Sequence, residues 1–290
     1  MTPLRQRMID AMQLRGLAQR TQQSYVAAVA GLSKHYARSP DQLDGQQVQD
    51  YLLHLLRERQ LARSSVNQAS CAFRFLYRRV LHCEWHAEVP LGKAERHLPE
   101  ILSRVELARL FAGAPSGKAR TVLMTAYALG LRVSELCELR VRDIDGSADR
   151  MLVHVVQGKG AKDRYVPLPA DAHQMLRRWW VHARPRKWMF CSQSDPQLPL
   201  HPDSAARWFY AARANAGIAK TGGIHTLRHC YATHLLESGV DLHTLSQWLG
   251  HRHVSTTMRY LHLARPDAPD GMRANPLQLL SALDAGSPTV

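Results

Sequence analysis

Four short segments place residues able to bind anions, move protons or act as nucleophiles where helices and strands are expected to end. In ALGLRVSELCELRVRDID, Arg132 follows a helix stop and Glu135 comes one helical turn later. In QGKGAKDRYVPL, Lys159 stands between Gly158 and Gly160, which permit a tight turn and close backbone approach to a ligand. This is not a P-loop, because the spaced first glycine and the K-[ST] ending are missing. In HTLRHCYATHLLESG, an apolar stripe of Leu227, Tyr231 and Leu235 leaves His225 and Arg228 together on the flanking face. In LSQWLGHRHVSTTMRYLHL, Gly250 ends one helix, His251 occupies the turn, Ser255 caps the next helix and Tyr260 lies near its start. A guanidinium offers paired donors to phosphate oxygens, and a side-chain hydroxyl beside a base becomes a nucleophile. Taken singly, each segment also has an ordinary explanation: a surface Arg132–Glu135 pair, a solvated hairpin tip, a core tyrosine. His225 and His229 share the i,i+4 spacing of a zinc pair. The glutamate of H-E-x-x-H is missing, however, and no nearby carboxylate offers a third ligand, so no metal is expected.

The elements that must position these residues divide the chain in two. Residues 1–85 read as helices joined by short turns. Pro3 starts one that Gly16 stops, and a second runs from about Thr21 to Ala37. Asp44 caps a third. Ser64 caps a fourth, in which Val66, Ala69, Phe73, Leu76 and Val80 recur at helical spacing. Arg63, Arg74, Arg78 and Arg79 lie on its other faces and suit a phosphate-facing surface, the alternative being a solvated charged face. HAEVPLGKAERHLPEIL loses periodicity and holds two prolines and a glycine, as a linker would. Ser103-Arg104-Val105-Glu106 is then a capping box that opens a new domain. Helix through Gly130 is followed by short β-like runs, MLVHVVQ and RYVPLP. Helices are expected near 170–183, 202–216, 226–238, 241–249 and 256–264. The fold class is therefore mainly α with a small β-sheet. The boundaries are 1–88 for the helical domain, 89–102 for the linker, 103–265 for the second domain and 266–290 for a tail.

Composition narrows the partners. Of 290 residues, 38 are Lys or Arg against 24 Asp or Glu, giving a formal net charge of +14. The excess is spread over both halves, with 14 basic against 8 acidic residues in 1–98 and 24 against 16 in 99–290. This favours a polyanion gripped by both halves over an acidic-surface enzyme. The five cysteines are scattered with no C-x-x-C pair, which fits reduced thiols in the cytoplasm and not a disulfide framework. No uncharged apolar run approaches the roughly 20 residues that span a bilayer, so no membrane partner is expected.

Taken together, GLRVSEL, GKGAKDR, HTLRHCYATHLL and LGHRHVSTTMRY closely resemble the signature segments of the tyrosine recombinase (phage integrase-like) family, especially its Xer-type and integron-type members. That family orders its functional residues as Arg, Lys, His-x-x-Arg, His or Trp, and Tyr. Arg132, Lys159, His225 with Arg228, His251 and Tyr260 fill those places. The resemblance spans about residues 100–265 and extends more loosely over the helical N-terminal part. It implies an N-terminal SAM-like core-binding domain, a C-terminal catalytic domain and a C-shaped clamp on duplex DNA. It also implies a homotetramer on two DNA sites, a monomer or weak oligomer when free, and work in the cytoplasm at the nucleoid.

By the same resemblance Tyr260 is the nucleophile of a 3′-phosphotyrosyl intermediate, and Arg132 and Arg228 stabilise the phosphate. Lys159 is the general acid, His225 the general base and His251 a hydrogen-bond donor to the phosphate. Glu135 orients its neighbours, and no cofactor is needed. The expected reactions are DNA integration, excision or resolution. The alternatives are a type IB topoisomerase-like nicking-closing enzyme, a non-catalytic DNA-binding protein or a zinc hydrolase. In the tail, LQLLSAL after a Pro-rich stretch is expected to form an apolar helix exchanged between protomers.

Overall fold

The computed structural model describes residues 2–83, 99–156 and 163–264. The chain forms two compact units, Met1–His97 and Leu98–Val290. In the first, α1 (Pro3–Leu14), α2 (Gln19–Tyr36), α3 (Gly45–Arg57) and α4 (Arg63–Phe75) enclose a core that includes Met8, Met12, Leu32, Leu52, Phe73 and Leu76. Thr2 caps α1, with Pro3 at its first turn. Asp44 opens α3 in a capping box: its carboxylate accepts the Gln47 N–H at 2.8 Å, and the Gln47 side chain accepts the Asp44 N–H at 3.1 Å. Ser64 does not cap α4. The helix begins one residue earlier, with Ala62 in the cap position and no side-chain bond there. Its last turn widens into a π-helical turn over Leu76–Val80, with Leu76, Tyr77 and Val80 turned inward. Arg63, Arg78 and Arg79 are exposed and Arg74 is half-buried.

The second unit contains α5 (Arg104–Ala112), α6 (Gly117–Leu129), α7 (Val133–Cys137), β1 (Ile144–Asp145), β2 (Leu152–Val155), β3 (Arg164–Pro167), α8 (Ala170–Ala183), α9 (Pro202–Asn215), α10 (His225–Glu237), α11 (Leu242–Leu249) and α12 (Ser255–Met258). Both halves of the Ser103–Glu106 capping box form. Leu102, the last residue of the expected linker, is buried in this core, and its N–H meets the Cys230 thiol at 3.3 Å.

The strands make an antiparallel sheet in the order β1-β2-β3, with Val153 opposite Val166 and Val155 opposite Arg164. β1 is too short to leave an alternating pattern in the sequence. α6 is buried from Val122 to Leu129, and α10 is buried on most of its surface, including the polar Thr226, Arg228, Thr233 and His234. The Leu227–Tyr231–Leu235 stripe is thus one part of a helix enclosed nearly all round. The last expected helix, 256–264, is a single turn at Ser255–Met258, with looser turns carrying the chain through Tyr260. Ser255 does not cap it; Val254 holds that position. Among the described residues no helix is long and apolar enough to cross a membrane.

Candidate active site

Two helix ends define the site. α6 ends at Gly130 and α11 at Gly250, both left-handed, with φ of 56° and 63°. Glycine takes that conformation without strain. At Gly130 a Cβ would also lie 2.3 Å from the Tyr231 ring, and at Gly250 one would lie 2.7 Å from Arg164 Cδ. The chain leaves each helix end through a tight turn, and the carbonyls left without helical partners face the site.

Each of those ends holds an arginine. Arg228, 5% exposed on α10, donates from Nη1 to the Gly130 carbonyl at 2.6 Å and from Nη2 to the Leu249 carbonyl. Arg132 sits at the cap of α7 and donates from Nη2 to the Gly250 carbonyl at 3.0 Å. Burial, with Arg132 nearby, pushes the Arg228 pKa down to about 10, which leaves it charged at neutral pH.

Glu135 ties this pair to the sheet. Its carboxylate accepts the Arg132 N–H at 2.8 Å and Arg132 Nη1 at 2.7 Å. It also accepts both Nη groups of Arg164, at 2.9 and 2.7 Å. Burial raises the Glu135 pKa, but the hydrogen bonds and charge of Arg164, with the contacts to Arg132, outweigh it and bring it down to about 2. Arg164 also donates from Nε to the Trp248 carbonyl at 2.7 Å, so β3, α7 and the end of α11 meet on one side chain. The sequence reading missed Arg164. An arginine opening a strand leaves no local mark, and its partners stand 29 and 84 residues away.

His251 follows Gly250. Its Nε2 faces Arg228 Nη2 at 3.3 Å and its Nδ1 meets the Thr257 hydroxyl at 2.8 Å. Because a guanidinium can only donate, Nε2 accepts and the proton belongs on Nδ1. Burial, then Arg228 and Arg132, lower the His251 pKa to about 4, so the ring is neutral.

Tyr260 is 2% exposed and stacks over His251, with ring centroids 6.4 Å apart and planes 12° from parallel. Burial raises its pKa, against the pull of Arg228, Arg259 and Arg132. Its hydroxyl bonds His229 Nδ1 at 2.9 Å. His225, the expected base, is exposed at the start of α10, and no hydrogen bond to its side chain occurs among the described residues. Partial burial, with Arg228 and Arg132 close by, lowers its pKa.

Arg132, Glu135, Arg228, His251 and Tyr260 therefore converge, with His225 beside the arginines. Lys159 lies outside the described residues. Arg63, Arg74, Arg78 and Arg79 belong to the other unit.

The phage integrase family model matches residues 100–266, and the N-terminal SAM-like domain model of phage integrases matches residues 4–87. The chain belongs to the phage integrase family. This tyrosine recombinase is 39% identical over 266 residues to the protein y4qK of Sinorhizobium fredii, covering 91% of this chain and 85% of that one. It is 32% identical over 289 residues to an integrase/recombinase of Escherichia coli, covering 85% of each. Among solved structures, a lambda integrase tetramer bound to a Holliday junction superposes with a TM-score of 0.71 at 19% identity, covering 88% of this chain and 75% of that one. At that identity the likeness concerns the fold, which the recombinase shares.

Proposed function

We propose that this recombinase cuts and rejoins duplex DNA at specific sites through a covalent link between Tyr260 and a DNA 3′-phosphate. The observation that carries this reading is the convergence of Arg132, Arg228 and His251 on Tyr260: the charges of both arginines act on the phenol, and its ring stacks on His251.

A phosphodiester resists attack because its charge repels nucleophiles and must be stabilised as the transition state forms. Arg228 uses three of its five N–H donors on Gly130, Leu249 and His251, leaving two for phosphate oxygens. Arg132 uses two side-chain donors, on Glu135 and Gly250, leaving three. Losing one such positioned donor typically costs about 10²–10³ in rate. Glu135, ionised between two arginines, orients Arg132 and carries no proton to donate. His251 bonds the phosphate through Nε2 once its contact with Arg228 is exchanged and its proton moves from Nδ1 to Nε2, Nδ1 then accepting from the Thr257 hydroxyl, and His225 stands beside the same oxygens. Lys159 protonates the departing 5′-oxygen. The phosphotyrosyl ester retains the energy of the broken bond, so strands rejoin without a nucleotide cofactor.

In this reading residues 103–265 perform the chemistry. Residues 1–88 hold the duplex through Arg63, Arg74, Arg78 and Arg79, and 89–102 join the two. Two DNA sites are paired in a tetramer, the assembly that lambda integrase forms on a Holliday junction, the free protein being a monomer or weak oligomer. The tail 266–290 links protomers, and the work is done on DNA in the cytoplasm, at the nucleoid.

The test is a nicked suicide duplex drawn from a library of sequences flanking the gene, with covalent adducts resolved on denaturing gels. Wild type is expected to form an adduct and Tyr260→Phe none. An adduct that persists in Tyr260→Phe defeats the assignment. Relaxation of a single site with no joining between two sites would point to a nicking-closing enzyme.

A further inference from the structure

The geometry points to His229 as the residue that takes the Tyr260 proton when the DNA phosphate is attacked, with His225 left to face the phosphate. The inference rests on the reading of Tyr260 as the nucleophile. His229 Nδ1 lies 2.9 Å from the Tyr260 hydroxyl, within reach for direct proton transfer. The half-buried imidazole stands one helical turn after His225 on α10, with its ring centroid 5.7 Å from that of Tyr260. His225, by contrast, is exposed. In the sequence His229 stood out only as a partner for His225 in a zinc pair, because the approach of Tyr260 from 31 residues away is a tertiary event.

The step balances without further reagents. As the bond from the Tyr260 oxygen to phosphorus forms, the hydroxyl proton passes to His229 Nδ1. The phosphorus–5′-oxygen bond breaks with its electron pair on oxygen, which takes a proton from the general acid. In the rejoining step a 5′-hydroxyl attacks phosphorus and returns its proton to the conjugate base of the general acid, while the phenolate leaves phosphorus and recovers its proton from the His229 imidazolium.

The surroundings also set when this happens. Burial, then the charges of His225, of Arg259 beside Tyr260 and of Arg228, together lower the His229 pKa to about 4. The Tyr260 pKa is raised above 10. The lowered His229 pKa and the raised Tyr260 pKa both oppose transfer in the free protein. A phosphate seated on Arg132 and Arg228 adds negative charge, which favours the imidazolium and offsets the cations that now disfavour it. His229 becomes a competent base when DNA is docked, and the unoccupied protein keeps its nucleophile protonated.

The experiment compares wild type, His229→Gln, His225→Gln and Tyr260→Phe in single-turnover cleavage of the suicide duplex between pH 5 and 9. A parallel substrate carries sulfur in place of the bridging 5′-oxygen, a leaving group that needs no proton. Glutamine retains a hydrogen-bond acceptor for Tyr260 but cannot carry the proton. His229→Gln is expected to bind DNA as wild type does and to cleave on the order of 10²-fold more slowly. Its rate should climb towards pH 9 as hydroxide replaces the base, and sulfur should not restore it. Wild-type rate and pH profile in His229→Gln, or full rescue by sulfur, overturns the inference. Should the variant fail to fold, ¹⁵N-histidine spectra of the wild type bound to DNA decide. An imidazole Nδ1 that accepts from Tyr260 in the complex supports the inference, and one that carries a fixed proton from pH 5 to 9 overturns it. An adduct in Tyr260→Phe would instead remove the nucleophile assignment, so the two failures are distinguishable.

Discussion

Replacing Arg164 with methionine removes one charge from a site where two arginines share one carboxylate. The Arg164 side chain is 8% exposed and that of Glu135 3%, so little water can take the place of the lost donors. Three bonds disappear: two to the Glu135 carboxylate, at 2.9 and 2.7 Å, and one to the Trp248 carbonyl at 2.7 Å. Breaking a buried ion pair from one side costs about 3–5 kcal/mol, because the remaining charge stays buried with less compensation. The Glu135 pKa, 4.5 ordinarily and about 2 here, gives about 3 kcal/mol as the combined effect of Arg164 and Arg132 net of burial, which is the same scale. At about 2–4 °C per kcal/mol for a unit of this size, the melting temperature should fall by roughly 6–20 °C. Cleavage should also slow, since among the described residues Arg132 alone is left to pair with Glu135 and is drawn from the phosphate. Arg164→Lys keeps the charge but offers a compact ammonium in place of a fork, and should fall between. Thermal melting and single-turnover cleavage on one preparation test both parts. A methionine variant that melts within about 2 °C of wild type and cleaves at its rate would refute the account.

Gly250→Ala should cost about 1–3 kcal/mol, from a left-handed φ of 63° and a Cβ placed 2.7 Å from Arg164 Cδ. It should also displace the carbonyl that holds Arg132, so cleavage should fall while DNA affinity, read by gel shift, changes little. Acid should destabilise the second unit from pH 6.5 downward. His234 is buried against the Tyr127 hydroxyl at 3.0 Å, and burial with Arg104 nearby lowers its pKa from 6.5 to about 4. The unfolded chain therefore takes up a proton at 6.5 that the folded one refuses until about 4, and stability is lost as pH falls through that window. The loss reaches about 3 kcal/mol for this residue, and a melting temperature that stays flat from pH 7 to 4.5 would contradict it. Deleting residues 276–290 should weaken the pairing of two DNA sites more than cleavage of one, measured by comparing recombination with adduct formation on suicide duplexes.

Helix ends were the most legible part of the sequence, because a cap acts within four residues. Asp44, Ser103, Gly130 and Gly250 all stand where the local chemistry puts them. Ser64 and Ser255 show the limit of that rule, since both lie inside their helices and the cap positions fall to Ala62 and Val254 with no side-chain bond. The convergence of Arg132, Arg228, His251 and Tyr260 was legible only as a family pattern. Neither the bond from Tyr260 to His229 nor the place of Arg164 was legible. Both depend on contacts across 29 to 84 residues, which periodicity and spacing do not encode. α10 misled for a related reason: a stripe of Leu227, Tyr231 and Leu235 predicts one buried face, whereas packing encloses most of the helix.

The anchoring of the two arginines on main-chain carbonyls bears on how this enzyme can change over generations. Gly130, Leu249 and Gly250 hold Arg228 and Arg132 with atoms that every residue type carries, at the end of a helix where the backbone already bears partial negative charge. A carbonyl steadies a cation without cancelling it and does not titrate, and the Arg228 guanidinium, with its pKa at about 10, stays charged across the neutral range. Substitutions elsewhere on α6 and α11 leave those three acceptors in place while the helices and their glycine turns persist. Surfaces that read a DNA sequence can therefore drift with the reacting centre unmoved, a robustness that favours the spread of one chemistry to many target sites.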